Sequence, residues 1–295
     1  MNPPDVSIIL PTQGTRPSLV RALRSALAQD FASFEIVVVD DSVDGSSWQL
    51  QPELAACLAD KRVRLVLFNQ GRGCAAAKNA GWLAARGKWL CYLDDDNEYR
   101  PGKIGAQHAR AVASGCPLVL CGLEIHVGRR WRTKQTARDM FQGDERVLNA
   151  LPDTNVLFHR RNMQARWDEA LGTVDDACLF QAIVAECRLV VVPNVPHALV
   201  IYHAHRGERA NRDFLRHYRG QRRWFVKWTR SYTAKVRRIL LLRMLVSCAR
   251  FQTGGWLLLI GLGGRLLCIG GLREWRLLAN TVGFRLLVVR RWMVS

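Results

Sequence analysis

The 295-residue sequence contains no Cys-x-x-Cys pair and no histidines at zinc-finger spacing, so its nine cysteines do not form a structural zinc module. Scattered through apolar stretches, they are expected to be buried thiols of a reducing compartment. The stretch after the first apolar run reads Pro11-Thr-Gln-Gly-Thr15. It has no glycine-rich, lysine-containing phosphate loop, which counts against a nucleotidyltransferase built on a similar sheet. The opening Met1-Asn-Pro-Pro-Asp5 lacks a basic n-region, and residues 6–10 are too short a run for a secretory core, so no export is expected. Neither internal repeats nor low-complexity segments are present.

Acidic residues are scarce at one end only. Residues 1–205 carry 23 Lys+Arg against 22 Asp+Glu, whereas residues 206–295 carry 20 against 3, so nearly all of the net charge of +18 lies in the last 90 residues. Such a segment attracts nucleic acid or an anionic membrane surface. Base-reading and phosphate-binding motifs are missing and apolar runs are present, so lipid is favoured and no nucleic-acid partner is expected. A boundary near residue 205 follows, with a globular domain over 1–205 and a basic helical, membrane-associating region over 206–295.

Within the first part, apolar runs at 6–10, 34–39, 63–68, 89–93 and 117–123 read as strands. They alternate with helical patterns at 17–29, 46–59, 74–85 and 101–113. The alternation predicts an α/β fold, a doubly wound and mainly parallel sheet with helices on both faces. Residues 128–143 read as a loop or edge hairpin, 155–159 and 188–192 as further strands, and 175–187 as a helix. In sheets of this class ligands bind beyond the carboxyl ends of the strands.

Acidic clusters fall at those ends. Asp94-Asp95-Asp96 follows Trp89-Leu-Cys-Tyr-Leu93 directly, and strand alternation would give Asp94 and Asp96 a shared direction. Three adjacent carboxylates repel unless a cation or hydrogen bonds offset them, and hard oxygen ligands suit Mg²⁺ or Mn²⁺. An Asp-rich turn capping the next helix is the other reading. Asp40-Asp41 closes a second strand, where a carboxylate can accept bonds from a base imide or a ribose hydroxyl, or form an Asx turn. Asp175-Asp176 precedes an apolar helix that it could cap.

Five motifs stand in order along residues 6–205: Val6-Ser-Ile-Ile-Leu-Pro-Thr12, Glu35-Ile-Val-Val-Val-Asp-Asp41-Ser, Arg72-Gly-Cys-Ala-Ala-Ala-Lys78-Asn79-Ala-Gly81, Leu93-Asp-Asp-Asp96 and Trp167-Asp-Glu-Ala-Leu-Gly-Thr-Val-Asp-Asp176. As an ordered set they resemble glycosyltransferase family 2, of the GT-A type. The resemblance implies a nucleotide-sugar site of Pro11, Thr12, Asp41, Lys78, Asp94 and Asp95, with a UDP-sugar favoured. It implies Mn²⁺ or Mg²⁺ on Asp96 and Asp94. A base at Asp176 or Asp175 would take the acceptor's proton in an inverting displacement. His203 and His205 share one side of the run that begins at Leu199; by the same resemblance His203 could meet the metal or the diphosphate, or be a hydrogen-bonded structural histidine.

The chain departs from the family pattern in three ways. The turn after Asp41 is one residue short, Lys78 stands where arginine is usual, and Asp175 replaces a glutamate. Gly220-Gln-Arg-Arg-Trp224 lacks the first glutamine of the processive members' motif, so a processive synthase is not expected. The tail interleaves Arg and Lys with aromatics, and residues 254–271 form an apolar run with one charge, Arg265. Glycines and a length at the lower limit for spanning favour a monotopic or re-entrant element over a spanning one. A helical subdomain with a solvated arginine face is the alternative. These readings predict a glycosyltransferase on the inner face of the cell membrane. It would use a saccharide or lipid-linked acceptor in cell-surface glycan assembly; a catalytically degenerate glycan- or nucleotide-binding scaffold is the competing role.

Overall fold

A computed structural model describes residues 2–14, 17–43, 52–68, 70–127, 130–134, 140–141, 155, 157–171 and 175–204, with residues 220, 223 and 227 further along. The chain divides into two compact units, Met1–Glu208 and Arg209–Ser295. His205, the apolar stretch 254–271 and all of the basic tail except residues 220, 223 and 227 lie outside the described residues. Among the described residues no helix is long and apolar enough to cross a membrane.

The first unit contains a nine-stranded mixed sheet. Strands β1 (Val6–Thr12), β2 (Phe34–Asp40), β3 (Val63–Leu67) and β4 (Trp89–Tyr92) form a parallel block in the order β3-β2-β1-β4. Their connections run through helices α1 (Pro17–Leu27), α2 (Pro52–Leu58) and α3 (Cys74–Ala84). Both β1 and β2 are buried along their whole length, which requires cover on both faces. Alternation along β2 shows how it is supplied. Ile36 and Val38 join the main core with Leu19, Leu23 and Leu54 of α1 and α2, whereas Val37 and Val39 pack with Ala77 of α3. Gly81 lets α3 sit this close, because a Cβ there would come within 2.5 Å of Ile9 Cγ2.

Beyond β4 the sheet differs from a simple parallel continuation. The strand expected at 117–123 is β6 (Leu118–Val127), and it does not adjoin β4. The short strand β9 (Phe158–Arg160) lies between them, antiparallel to both. The sheet continues through β11 (Asn194–Ala204), parallel to β6, to β5 (Glu98–Tyr99) at the edge. The basic stretch after β6 does form a hairpin: β7 (Arg130–Lys134) returns antiparallel to β6. A separate two-stranded ladder joins β8 (Met140–Phe141) to β10 (Val191–Val192). Helix α4 (Lys103–Ser114) and helix α5 (Asp175–Glu186) are the remaining helices of the unit among the described residues.

Two expectations need correction. Strand geometry ends at Tyr92, and Asp95 and Asp96 stand in a turn in which the Asn97 N–H bonds the Asp94 carbonyl at 3.1 Å. The alternation that would have aligned Asp94 with Asp96 therefore does not extend to them. None of the seven described cysteines is in a disulfide, but Cys74 is exposed, because it opens α3 on the solvent side, and Cys187 is half-buried.

Candidate functional site

The carboxyl ends of β1, β2 and β4 meet the start of α3. Thr12 ends β1, and its hydroxyl lies 2.7 Å from Asp95 Oδ2 and 2.9 Å from the Gly14 carbonyl. Its single proton serves one of them at a time. Pro11 is buried in the same strand. Asp40, fully buried, accepts the Gly14 and Ser42 N–H groups at 3.2 and 3.0 Å and so shapes the loop after β1.

Asp41 has a second positioning role. Its carboxylate accepts the Arg72 N–H at 3.2 Å and the Gly73 N–H at 2.6 Å. Gly73, with φ +97°, occupies the N-cap position of α3. The glycine conformation turns two backbone donors onto one carboxylate, a charge-assisted arrangement. Asp41 is thus a buried anion that holds the entrance to α3, at the edge of the expected nucleoside position.

Asp94 is held from both sides. Lys78 Nζ, reaching from α3, lies 3.1 Å from Asp94 Oδ1 and 4.7 Å from the centroid of the Trp167 ring. Asn155 Nδ2 donates to Asp94 Oδ2 at 2.9 Å, while the Asp94 N–H donates to Asn155 Oδ1 at 2.7 Å. The amide thereby reads backbone and side chain of the same residue. Asp96 contributes its carbonyl to Arg21 at 3.0 Å, and Arg21 pairs with Glu98 at 3.1 Å.

His203 enters from β11. Its backbone N–H bonds Asn97 Oδ1 at 3.1 Å and its ring nitrogen Nε2 engages Glu98. The ring lies 5.4 Å from that of His126, which bonds Glu124; this bond and the Arg100 guanidinium hold the Glu124 carboxyl below its ordinary range. His203 therefore stands directly behind the acidic turn, as a histidine hydrogen-bonded to Glu98. Asp175 and Asp176 form the first turn of α5; their side chains lie outside the described residues.

Several residues that shape the site were not among the sequence candidates. Asn155 is one, and its only sequence signal is a polar residue at the head of an apolar run. Asn79 is another: it donates to the Trp167 carbonyl and to Glu169 Oε1, both at 3.0 Å, and accepts the Trp167 N–H at 3.1 Å. Glu169 in turn pairs with Arg72. This network joins the start of α3 to the segment that leads toward α5.

Among the described residues no group of three or more His, Cys, Asp or Glu side chains forms a ready metal cage. The donor set of the turn still suits a hard divalent cation, since it consists of carboxylate oxygens without a thiolate. Lys78 and Asn155 engage the two oxygens of Asp94, so a cation bound there would share them.

A family model for glycosyl transferase family 2 matches residues 7–188. The succinoglycan biosynthesis protein ExoO of Rhizobium meliloti strain 1021 is 34% identical over 233 residues, 70% of this chain and 64% of that protein. A UDP-Glc:α-D-GlcNAc-diphosphoundecaprenol β-1,3-glucosyltransferase, WfaP of Escherichia coli, is 28% identical over 102 residues, 35% of this chain and 39% of that one. The chain thus spans less than two thirds of the length of these relatives. In fold it resembles the Staphylococcus aureus TarS 1–349 complex with UDP-GlcNAc, with TM-score 0.65, 18% identity and coverage of 95% of this chain and 80% of that one. It also resembles the Pyrobaculum calidifontis mannosyltransferase PcManGT bound to GDP-Man and Mn²⁺, with TM-score 0.59, 18% identity and coverage of 99% and 84%. With its parallel block, its acidic strand ends and this family match over more than half its length, the chain belongs to glycosyl transferase family 2.

Proposed function

We propose that the protein transfers a sugar, with inversion, from a nucleotide-diphosphate sugar to an acceptor hydroxyl. The observation that carries this reading is the convergence of Lys78, Asp94 and Asn155 beside the Thr12–Asp95 pair, at the carboxyl ends of adjacent parallel strands. A basic side chain there can offset diphosphate charge, and fixed acceptors can bind ribose and base. Pro11, Thr12 and Asp41 border the nucleoside, with a UDP-sugar favoured; Lys78, Asp94 and Asp95 face the ribose and phosphates.

Asp96, with Asp94, would hold Mn²⁺ or Mg²⁺, and His203 adjoins that site. A bound cation supplies positive charge for the departing diphosphate. PcManGT, captured with GDP-Man and Mn²⁺, is the precedent on this fold. Asp176, or its neighbour Asp175, takes the proton of the attacking hydroxyl from the first turn of α5. The Asn79–Trp167–Glu169 network fixes the segment before that helix, so donor and base are set by one scaffold.

The reading extends to partners. WfaP acts, by its name, on a diphosphoundecaprenol-linked sugar, and the tail of residues 206–295 combines 20 basic residues with apolar runs. A saccharide or lipid-linked acceptor at the inner face of the cell membrane suits both, with residues 1–205 as the catalytic domain and the tail as the element that meets anionic lipid. Calorimetric titration of UDP, GDP and dTDP, with and without Mn²⁺, tests the donor site on the wild type and on Asp96→Ala. Cation-dependent binding of one nucleotide, lost in the variant, is expected. Binding of none of them to folded protein would replace this function with that of a scaffold-type relative.

A further inference from the structure

A second concavity lies at the amino ends of the same strands. It is a cavity of about 880 Å³ between the end of α3, the start of β4, α4 and the segment after β9, within the usual range for organic ligands. Lys88, Arg160, Arg161 and Arg166 line it, all exposed, with Asp5 as the sole carboxylate in the lining. Among the described residues none of the four cations forms an ion pair; they are held in other ways. Arg166 stacks 4.4 Å over the Trp82 ring and Arg160 lies 5.3 Å from the Trp89 ring. Arg161 donates to the Ala85 carbonyl at 3.0 Å, and Arg166 to the Ala165 carbonyl at 2.8 Å.

Guanidinium groups braced by rings and carbonyls keep donor edges available for an external anion. The same lining has an apolar side. Leu83 and Val112, 76% and 64% exposed, flank the cavity with the edge of Trp82 behind them. His108, the remaining titratable group in the lining, packs among Phe31, Trp89 and Phe158. Four cations with no ion pair among the described residues, beside exposed aliphatic side chains, match a ligand that is anionic at one end and apolar at the other.

We propose that this cavity binds a lipid phosphate, with the phosphate among Arg160, Arg161, Arg166 and Lys88 and the acyl portion against Leu83, Val112 and Trp82. It is separate from the nucleotide region: the span of β4 and the residues after it, from Trp89 to Asp94, places on the order of 15 Å between them. The basic tail plays no part in the proposal, and the test is designed to exclude it.

The probe is monomeric dihexanoyl phosphatidate, titrated by calorimetry into the full chain. Glycerol phosphate and dihexanoyl phosphatidylcholine serve as comparisons, the first lacking the apolar part and the second the net negative charge. The phosphatidate is expected to bind at least tenfold more tightly than either. Arg160→Gln/Arg161→Gln, which leaves the tail intact, is expected to weaken it at least tenfold while thermal melting stays within a few degrees of the wild type. Equal binding to wild type and double variant would assign the lipid to the tail and overturn the proposal. Glycerol phosphate binding as tightly as phosphatidate would overturn it too, leaving a site for free phosphate esters.

Discussion

Lys78 Nζ lies 3.1 Å from Asp94 Oδ1, and the two differ in environment: the lysine side chain is 4% exposed and the aspartate 28%. A cation this enclosed depends on its partner, and the partner opens toward the site. Lys78→Met strands Asp94 with the Asn155 amide alone. The expected cost is roughly 2–3 kcal/mol, below the range for fully buried pairs because Asp94 is partly solvated. Thermal denaturation should show Tm falling by roughly 5–10 °C. An unchanged Tm would mean that the pair contributes nothing to the fold.

Asn155 satisfies Asp94 through two bonds of opposite direction. Asn155→Asp keeps the size but removes the donor and sets a second carboxylate against the first. Asn155→Ala removes the bonds without adding charge. Nucleotide titration should therefore show the aspartate variant weaker than the alanine variant, with both at least tenfold below wild type. The reverse order would argue that Asn155 only fills space.

His159 is buried between Trp82 and Tyr92, with ring centroids 4.7 and 5.6 Å away. Its Nδ1–H donates to the Arg160 carbonyl at 2.8 Å, so Nε2 accepts from the Tyr92 hydroxyl at 2.9 Å. Burial, opposed in part by that carbonyl, pushes its pKa down to about 4. The fold therefore favours the neutral ring, and the unfolded chain binds the extra proton between pH 4 and about 6.5. The resulting stability is fully present above pH 6.5 and is lost as pH falls toward 4. Chemical denaturation from pH 4 to 7 should show the wild type gaining up to about 3 kcal/mol over His159→Gln. Parallel profiles would refute a titrating role for this residue.

Cys74 is exposed at the first position of α3, while Cys57, Cys91, Cys116, Cys121 and Cys178 are buried and Cys187 half-buried. Under native conditions N-ethylmaleimide should modify Cys74 at least tenfold faster than the other six, read by peptide mass mapping. Because Gly73 next to it donates to Asp41, a nucleotide bound at that corner should slow the labelling. Uniform labelling of all seven would contradict the described packing.

The four parallel strands were legible because each is a short apolar run rich in β-branched or aromatic residues, and helical patterns separate them. Two acidic clusters, Asp40-Asp41 and Asp94–Asp96, fell at the ends of apolar runs, where the topology rule places ligands, and Asp175-Asp176 opened a helix. What the sequence concealed is long-range. Phe158–Arg160 is too short to announce that it runs antiparallel between two strands that looked like neighbours. Asn155 carries no local mark of a partner 61 residues earlier. Residues 194–204 form one long strand despite Pro193 and Pro196, because register shifts around Ala198 absorb the irregularity. Alternation failed at Asp94–Asp96 because a turn, closed by its own backbone, replaces the strand there.

The wedge of β9 between β4 and β6 also separates the two halves of the site in the order of synthesis. A chain emerging from the ribosome has produced β1 to β4, with every motif of the nucleotide corner from Thr12 to Asp96, well before Asn155 and β9 appear. In the folded chain β9 covers the outer edge of β4, and Asn155, three residues before it, holds Asp94 from the side opposite Lys78. Phe158–Arg160 fills the edge of β4, and the chain just before it carries the Asn155 amide that locks the carboxylate. One short stretch, residues 155–160, therefore both joins the parallel block to β6 and supplies the amide that holds Asp94.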